Sequence, residues 1–251
     1  VDELISDLLP TGADPIVHTA TSNMYSTWSI FHAIPSILDP QTLPTPHPVA
    51  FNLPGLDPGN AMFAPILAHE VGHTCWQRGM GQDLVARLDK PAIDAVLSAA
   101  VQGGADPQQL MEQFSGWLQE LMCDALAATL TGPGFLFASV VFLPGPGAAV
   151  LGTHPYPRDR LGFTLRILDN LGWSPELEEL VPDVLAWCRD LAQNPELQGS
   201  AVETALRLAA EIAEPAMMAL AEETAVNRLS ASSFAAARSD LFDHLDLEIP
   251  P

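Results

Sequence analysis

Residues 60–77 read NAMFAPILAHEVGHTCWQ. The apolar run from Ala61 to Ala68 predicts one long helix over about 60–77, buried along most of its length. His69 and His73 stand four residues apart, so on a helix they lie about 40° apart around the axis and face the same way. Glu70 projects to one side of the pair. Two imidazoles and a carboxylate on a buried helix need a partner, because unpaired polar groups there are costly. The spacing suits a zinc ion (Zn2+), which takes ring nitrogens at roughly 2.0–2.1 Å. Glu70 then lies where it can hold a water molecule without binding the metal.

A third ligand has to come from another segment. Gly79 occupies the place where a third histidine six residues after the second would stand, which excludes that extended pattern. The next candidate is Glu120, on the predicted helix that Asp106 caps and Pro107 starts, running to about Thr131. Glu120 and Asp124 share one face of this helix among Leu118, Leu121, Met122 and Ala125. Carboxylates in such a setting repel unless a cation or donors compensate them. Glu120 as metal ligand, with Asp124 accepting the outer N–H of a ligand histidine, answers that need. A solvated acidic face is the plainer alternative, and Cys123 is a rival ligand set off this face.

A third motif follows at Thr153-His154-Pro155-Tyr156-Pro157-Arg158-Asp159-Arg160-Leu161. With the His-Glu-x-x-His helix and the Glu-x-x-x-Asp helix, it resembles the gluzincin metallopeptidases of the HtpX and CAAX-prenyl-protease family, in their soluble, minimal form. Tyr156 replaces a proline of that signature and Leu161 an isoleucine. The likeness covers about residues 48–171. It implies a mainly α, zincin-like (gluzincin) fold with a small β-sheet. It also implies a zinc-dependent endopeptidase in which Glu70 is the general base, taking a proton from a zinc-activated water and passing it to the leaving amine. His154 becomes a candidate oxyanion donor, against the alternative of a structural turn histidine. Arg160, the signature arginine, is expected to pair with a carboxylate and lock the turn. The competing reading is a catalytically silent, metal-stabilised regulatory or partner-binding module.

Around these motifs the chain reads as a domain over 1–173 and a C-terminal helical extension over 174–251, punctuated by Pro182, Pro195 and Pro215. Val49–Leu53 between Pro48 and Pro54 reads as a short edge strand that could bind an extended peptide by strand addition. Ala125 to Thr153 carries no charge, but Gly132-Pro133-Gly134 and Pro144-Gly145-Pro146-Gly147 cut it into pieces too short for a bilayer. It reads as a buried helix followed by a loop, and no membrane contact is expected.

The net charge of −21 repels phosphate backbones and so excludes nucleic acid as a general partner. It keeps an apolar chain soluble, or favours basic substrates. A peptide or protein substrate is the expected partner. Three widely spaced cysteines form no disulfide framework, and no secretory signal opens the sequence, so a cytoplasmic location is expected. Oligomeric state, substrate preference and regulation are not legible.

Overall fold

The computed structural model describes residues 63–142, 153–193, 200–225 and 230–236 with their side chains, those of Phe63 and Phe142 excepted. Residues 16–20, 26–29 and 49–54 are described as backbone alone. The helices are α1 (Phe63–Cys75), a π-helical continuation (Trp76–Met80), α2 (Gly81–Arg87), α3 (Lys90–Gln102), α4 (Pro107–Thr131) and α5 (Pro133–Phe142). They continue as α6 (Pro157–Asn170), α7 (Ser174–Leu180), α8 (Pro182–Gln193) and α9 (Ala201–Thr224).

Local chemistry explains where several of them begin. Asp106 caps α4 by accepting from the backbone N–H of Gln109 at 2.7 Å, with Pro107 in the first turn where no N–H is needed. Asp89 and Pro91 do the same for α3. Ser200 and Glu203 form a reciprocal capping box at the start of α9.

The centre of the molecule is α4. From Trp117 to Leu130 only Gln119 escapes burial. A helix apolar on all faces must be covered on all faces, and α1, α9, α6 and α5 supply that cover. Leu206, Ala209, Ala213 and Met217 of α9 share one cluster with Phe114, Leu118, Leu121 and Leu126 of α4. The tail therefore contributes to the central core. A second cluster joins Leu136, Leu161, Trp173, Leu185 and Cys188, from α5 to α8.

This architecture corrects the expected zincin-like fold with a small β-sheet. The residues described with their side chains contain no strand and no sheet, and the elements packed on α4 are chiefly helices, so the protein they describe is helical. The three backbone-only segments pair in the order β1 (Ile16–Ala20), β3 (Val49–Pro54), β2 (Ser26–Ser29). β3 thus lies between two partners, parallel to β1 and antiparallel to β2, and offers no free edge for strand addition. Its prolines stand at or beyond its ends, where no interior ladder donor is lost.

Pro215 is a further correction, because α9 runs through it without a break. Proline and the residue four before it, Glu211, both face solvent, so the freed carbonyl can be hydrated. Burial of Ala213, Met217, Leu220 and Ala221 offsets the roughly 3 kcal/mol that an interior proline costs. Pro195 and the loop expected after Phe142 lie outside the described residues. Among the described residues, no helix is long and apolar enough to cross a membrane.

Candidate metal centre

Leu67, Ala68 and Val71 bury one side of α1, which leaves His69, Glu70 and His73 directed across α4. Their ligand atoms lie within 4.8 Å of one another. Gly72, between the histidines, sets how close the two helices come. A Cβ there would stand 2.9 Å from the Cα of Cys123, against backbone that cannot give way. A glycine inside a helix costs about 1 kcal/mol relative to alanine, and here the close approach explains it.

That approach brings Glu120 under both rings. His69 Nε2 is 3.5 Å from Glu120 Oε2, and His73 Nε2 is 3.6 Å from Glu120 Oε1. Behind His69, Asp124 Oδ1 lies 2.8 Å from Nδ1. Arg160 then grips Asp124 with two donors, Nε at 2.7 Å and Nη2 at 2.6 Å, while its Nη1 stands 3.5 Å from Glu120 Oε2. His154 approaches from the turn before α6, with Nε2 3.3 Å from Glu120 Oε1. The structure therefore brings all seven residues singled out in the sequence into one cluster. Cys123 is fully buried, with its Sγ beside Gly72.

Three further residues contribute to the site. Gln119 places its side-chain Nε2 3.0 Å from His73 Nδ1. Turned by half a rotation, the same amide presents its oxygen to the ring N–H. Gly116, one turn before Glu120, lets the Thr153 carbonyl seat on α4, since a Cβ would stand 2.5 Å from that oxygen. Tyr156 donates its hydroxyl to Glu203 and so ties the turn to the first turn of α9. A glycine four residues before a buried glutamate was a usable signal for the second of these. The other two depend on pairings between distant segments.

Electrostatics follow from this crowding. Burial works against a charged His69, but the Asp124 and Glu120 carboxylates outweigh it and push the imidazole up to about 9. His73 falls to about 4, through burial and then the charge on His69. Burial alone would raise Asp124, yet the Arg160 guanidinium holds its carboxyl below the usual range. Glu120 is likewise held low against its burial, chiefly by His69.

The donor set fits a divalent cation. Ligand bonds of 2.0–2.1 Å place neighbouring corners of a tetrahedron roughly 3.4 Å apart. The spacings from Glu120 to the two ring nitrogens are close to that edge and longer than ordinary N–H···O bonds of about 2.7–3.2 Å. With neutral histidines, Glu70, Glu120 and Asp124 against Arg160 leave two negative charges, which one divalent ion balances. Nδ1–H of His69 donating to Asp124 leaves the Nε2 lone pair for that ion.

Family models, curated proteins and solved structures yield no match to this chain. The functional reading therefore rests on the geometry of these residues.

Proposed function

We propose that this chain is a zinc-dependent metalloendopeptidase, with His69, His73 and Glu120 as zinc ligands and Glu70 as general base. The observation that carries the reading is the Glu120 carboxylate, set at coordination-edge spacing from two helix-borne imidazoles with Glu70 alongside them. A purely structural zinc site has no need of a general base.

When bound, zinc supplies a Lewis acid that lowers the pKa of water toward 7 and polarises a carbonyl. Glu70 accepts the proton of the attacking water on a carboxylate oxygen and delivers it to the amine nitrogen of the leaving peptide. Asp124 fixes the tautomer and orientation of His69, and Gln119 does so for His73. Arg160 keeps Asp124 ionised and in place. The substrate is a peptide or protein segment rather than nucleic acid, in keeping with a net charge of −21. Three widely spaced cysteines, which make no disulfide framework, are in keeping with a reducing, cytoplasmic setting.

The test is Glu70→Gln, assayed for metal content and for cleavage of a mixed peptide library. Zinc stoichiometry is expected to stay at wild type while hydrolysis falls about 10²–10⁴-fold, the usual worth of a general base. Equal hydrolysis by wild type and variant would remove the reading. A catalytically silent metal-stabilised module is favoured by one observation, the nearness of His154 Nε2 to Glu120.

A further inference from the structure

Three imidazoles face one carboxylate in the same way. The Nε2 atoms of His154, His69 and His73 stand 3.3, 3.5 and 3.6 Å from the Glu120 oxygens. Each ring has its other nitrogen engaged on the far side: His69 Nδ1 by Asp124, His73 Nδ1 by Gln119, and His154 Nδ1 by Thr153 Oγ1 at 3.2 Å. That arrangement is how a protein presents imidazole to a metal, with the outer N–H held so that the inner lone pair points at the ion. A neutral ring whose Nδ1–H donates to Thr153 turns an Nε2 lone pair toward the Glu120 carboxylate. Two such acceptors repel unless a cation lies between them. The spacing from His154 to Glu120 is also near the roughly 3.4 Å edge of a zinc tetrahedron.

The third imidazole differs from the other two in what holds it. The His69 and His73 side chains are 9% and 17% exposed and ride on a buried helix, whereas His154 is 49% exposed and sits on a turn. Its outer partner is a neutral hydroxyl on the preceding residue. His69, in contrast, has a carboxylate clamped by a guanidinium. Of the four donors, His154 is the one that can leave at least cost.

We propose that His154 supplies a fourth, exchangeable protein ligand to the metal held by His69, His73 and Glu120. The resting site is then closed by three imidazoles and one carboxylate. It opens when the His154 Nε2–metal bond breaks and an oxygen donor from water or substrate forms a bond in its place. No oxidant or further reactant is needed. The inference rests on the metal-binding part of the function proposed above and not on hydrolysis.

X-ray absorption of the zinc-loaded full chain counts imidazoles on the metal directly. Wild type is expected to show three and His154→Ala two. Zinc affinity, measured by competition with a chromophoric chelator, is expected to fall about 10–100-fold in the variant. Saturating acetohydroxamate, an oxygen-donor chelate small enough to enter, is expected to reduce the wild-type count from three to two with zinc retained. Two imidazoles in wild type would overturn the proposal, as would a count that stays at three with hydroxamate bound. Because His154 is half exposed, the alanine variant is expected to fold, and helical circular dichroism of the metal-free chain checks this. Three imidazoles with no Glu70-dependent hydrolysis would leave this inference standing and remove the peptidase. Two imidazoles with such hydrolysis would do the reverse.

Discussion

The two sides of the metal centre are built differently. On one side, His69 of α1 is backed by Asp124 of α4 and Asp124 by Arg160 of α6, through contacts of 2.6–2.8 Å between side chains no more than 12% exposed. On the turn side, His154 stands half-exposed before α6, backed by a hydroxyl at 3.2 Å. A buried, charge-backed ligand is fixed in position, because moving it would strand a charge. A turn ligand backed by a neutral group can swing away and be hydrated. The same four-donor set thus has three fixed corners and one adjustable corner, and substitutions on the two sides should differ in kind as well as in size.

The largest effect is expected from Arg160→Leu. It removes the guanidinium from Asp124 and Glu120 while leaving both carboxylates buried. Breaking a buried pair by taking one partner costs about 3–5 kcal/mol. For a chain of this size that corresponds to a fall in Tm of roughly 6–20 °C, measured by calorimetry on the metal-free protein. Arg160→Lys should recover little, since a lysine cannot make the two-pronged contact with Asp124. A loss below about 1 kcal/mol would break the contrast, by showing that the buried side is not held through its charges.

How much of this was legible beforehand divides along a physical line. Helix-borne features could be read, because helical spacing fixes which side chains share a face. His69 and His73, Glu120 and Asp124, and the Asp106 cap of α4 all stand where periodicity and capping chemistry put them. The zincin-like fold was not correctly read. The likeness that implied it rests on site residues, whereas the fold is decided by what covers α4, and among the described residues that cover is chiefly helical. Pro215 failed as a stop signal because the cost of a proline depends on whether the carbonyl it frees meets water. Gln119 was passed over because an amide on a helix carries no signal until its partner, 46 residues away in sequence, is known.

A middle-sized effect is expected on the turn side from Gly116→Ala. The added Cβ would meet the Thr153 carbonyl oxygen at 2.5 Å, so the turn has to lift from α4 and take His154 away from Glu120. Overpacking of this kind costs about 1–3 kcal/mol. In the zinc-loaded chain the alanine variant should show two imidazoles, as His154→Ala does, while the metal stays bound to His69, His73 and Glu120. Loss of zinc altogether would show that the turn is not separable from the fixed corners. That result would erase the distinction between the two sides.

The smallest effect is expected within the fixed side itself, from Gln119→Ala. Gln119 supports His73 as Asp124 supports His69, but with a neutral amide in place of a carboxylate that is itself gripped by arginine. A charge-assisted hydrogen bond is roughly twice as strong as a neutral one, so loss of the amide should weaken zinc binding by about tenfold or less, the low end for such outer partners. Removing Gln119 also leaves little stranded, because His73 is held near a pKa of about 4 and is neutral at pH 7. Chelator competition on Gln119→Ala and Asp124→Asn side by side gives the ratio that matters. A larger loss for the glutamine variant would mean that His73, and not His69, is the ligand on which the site depends.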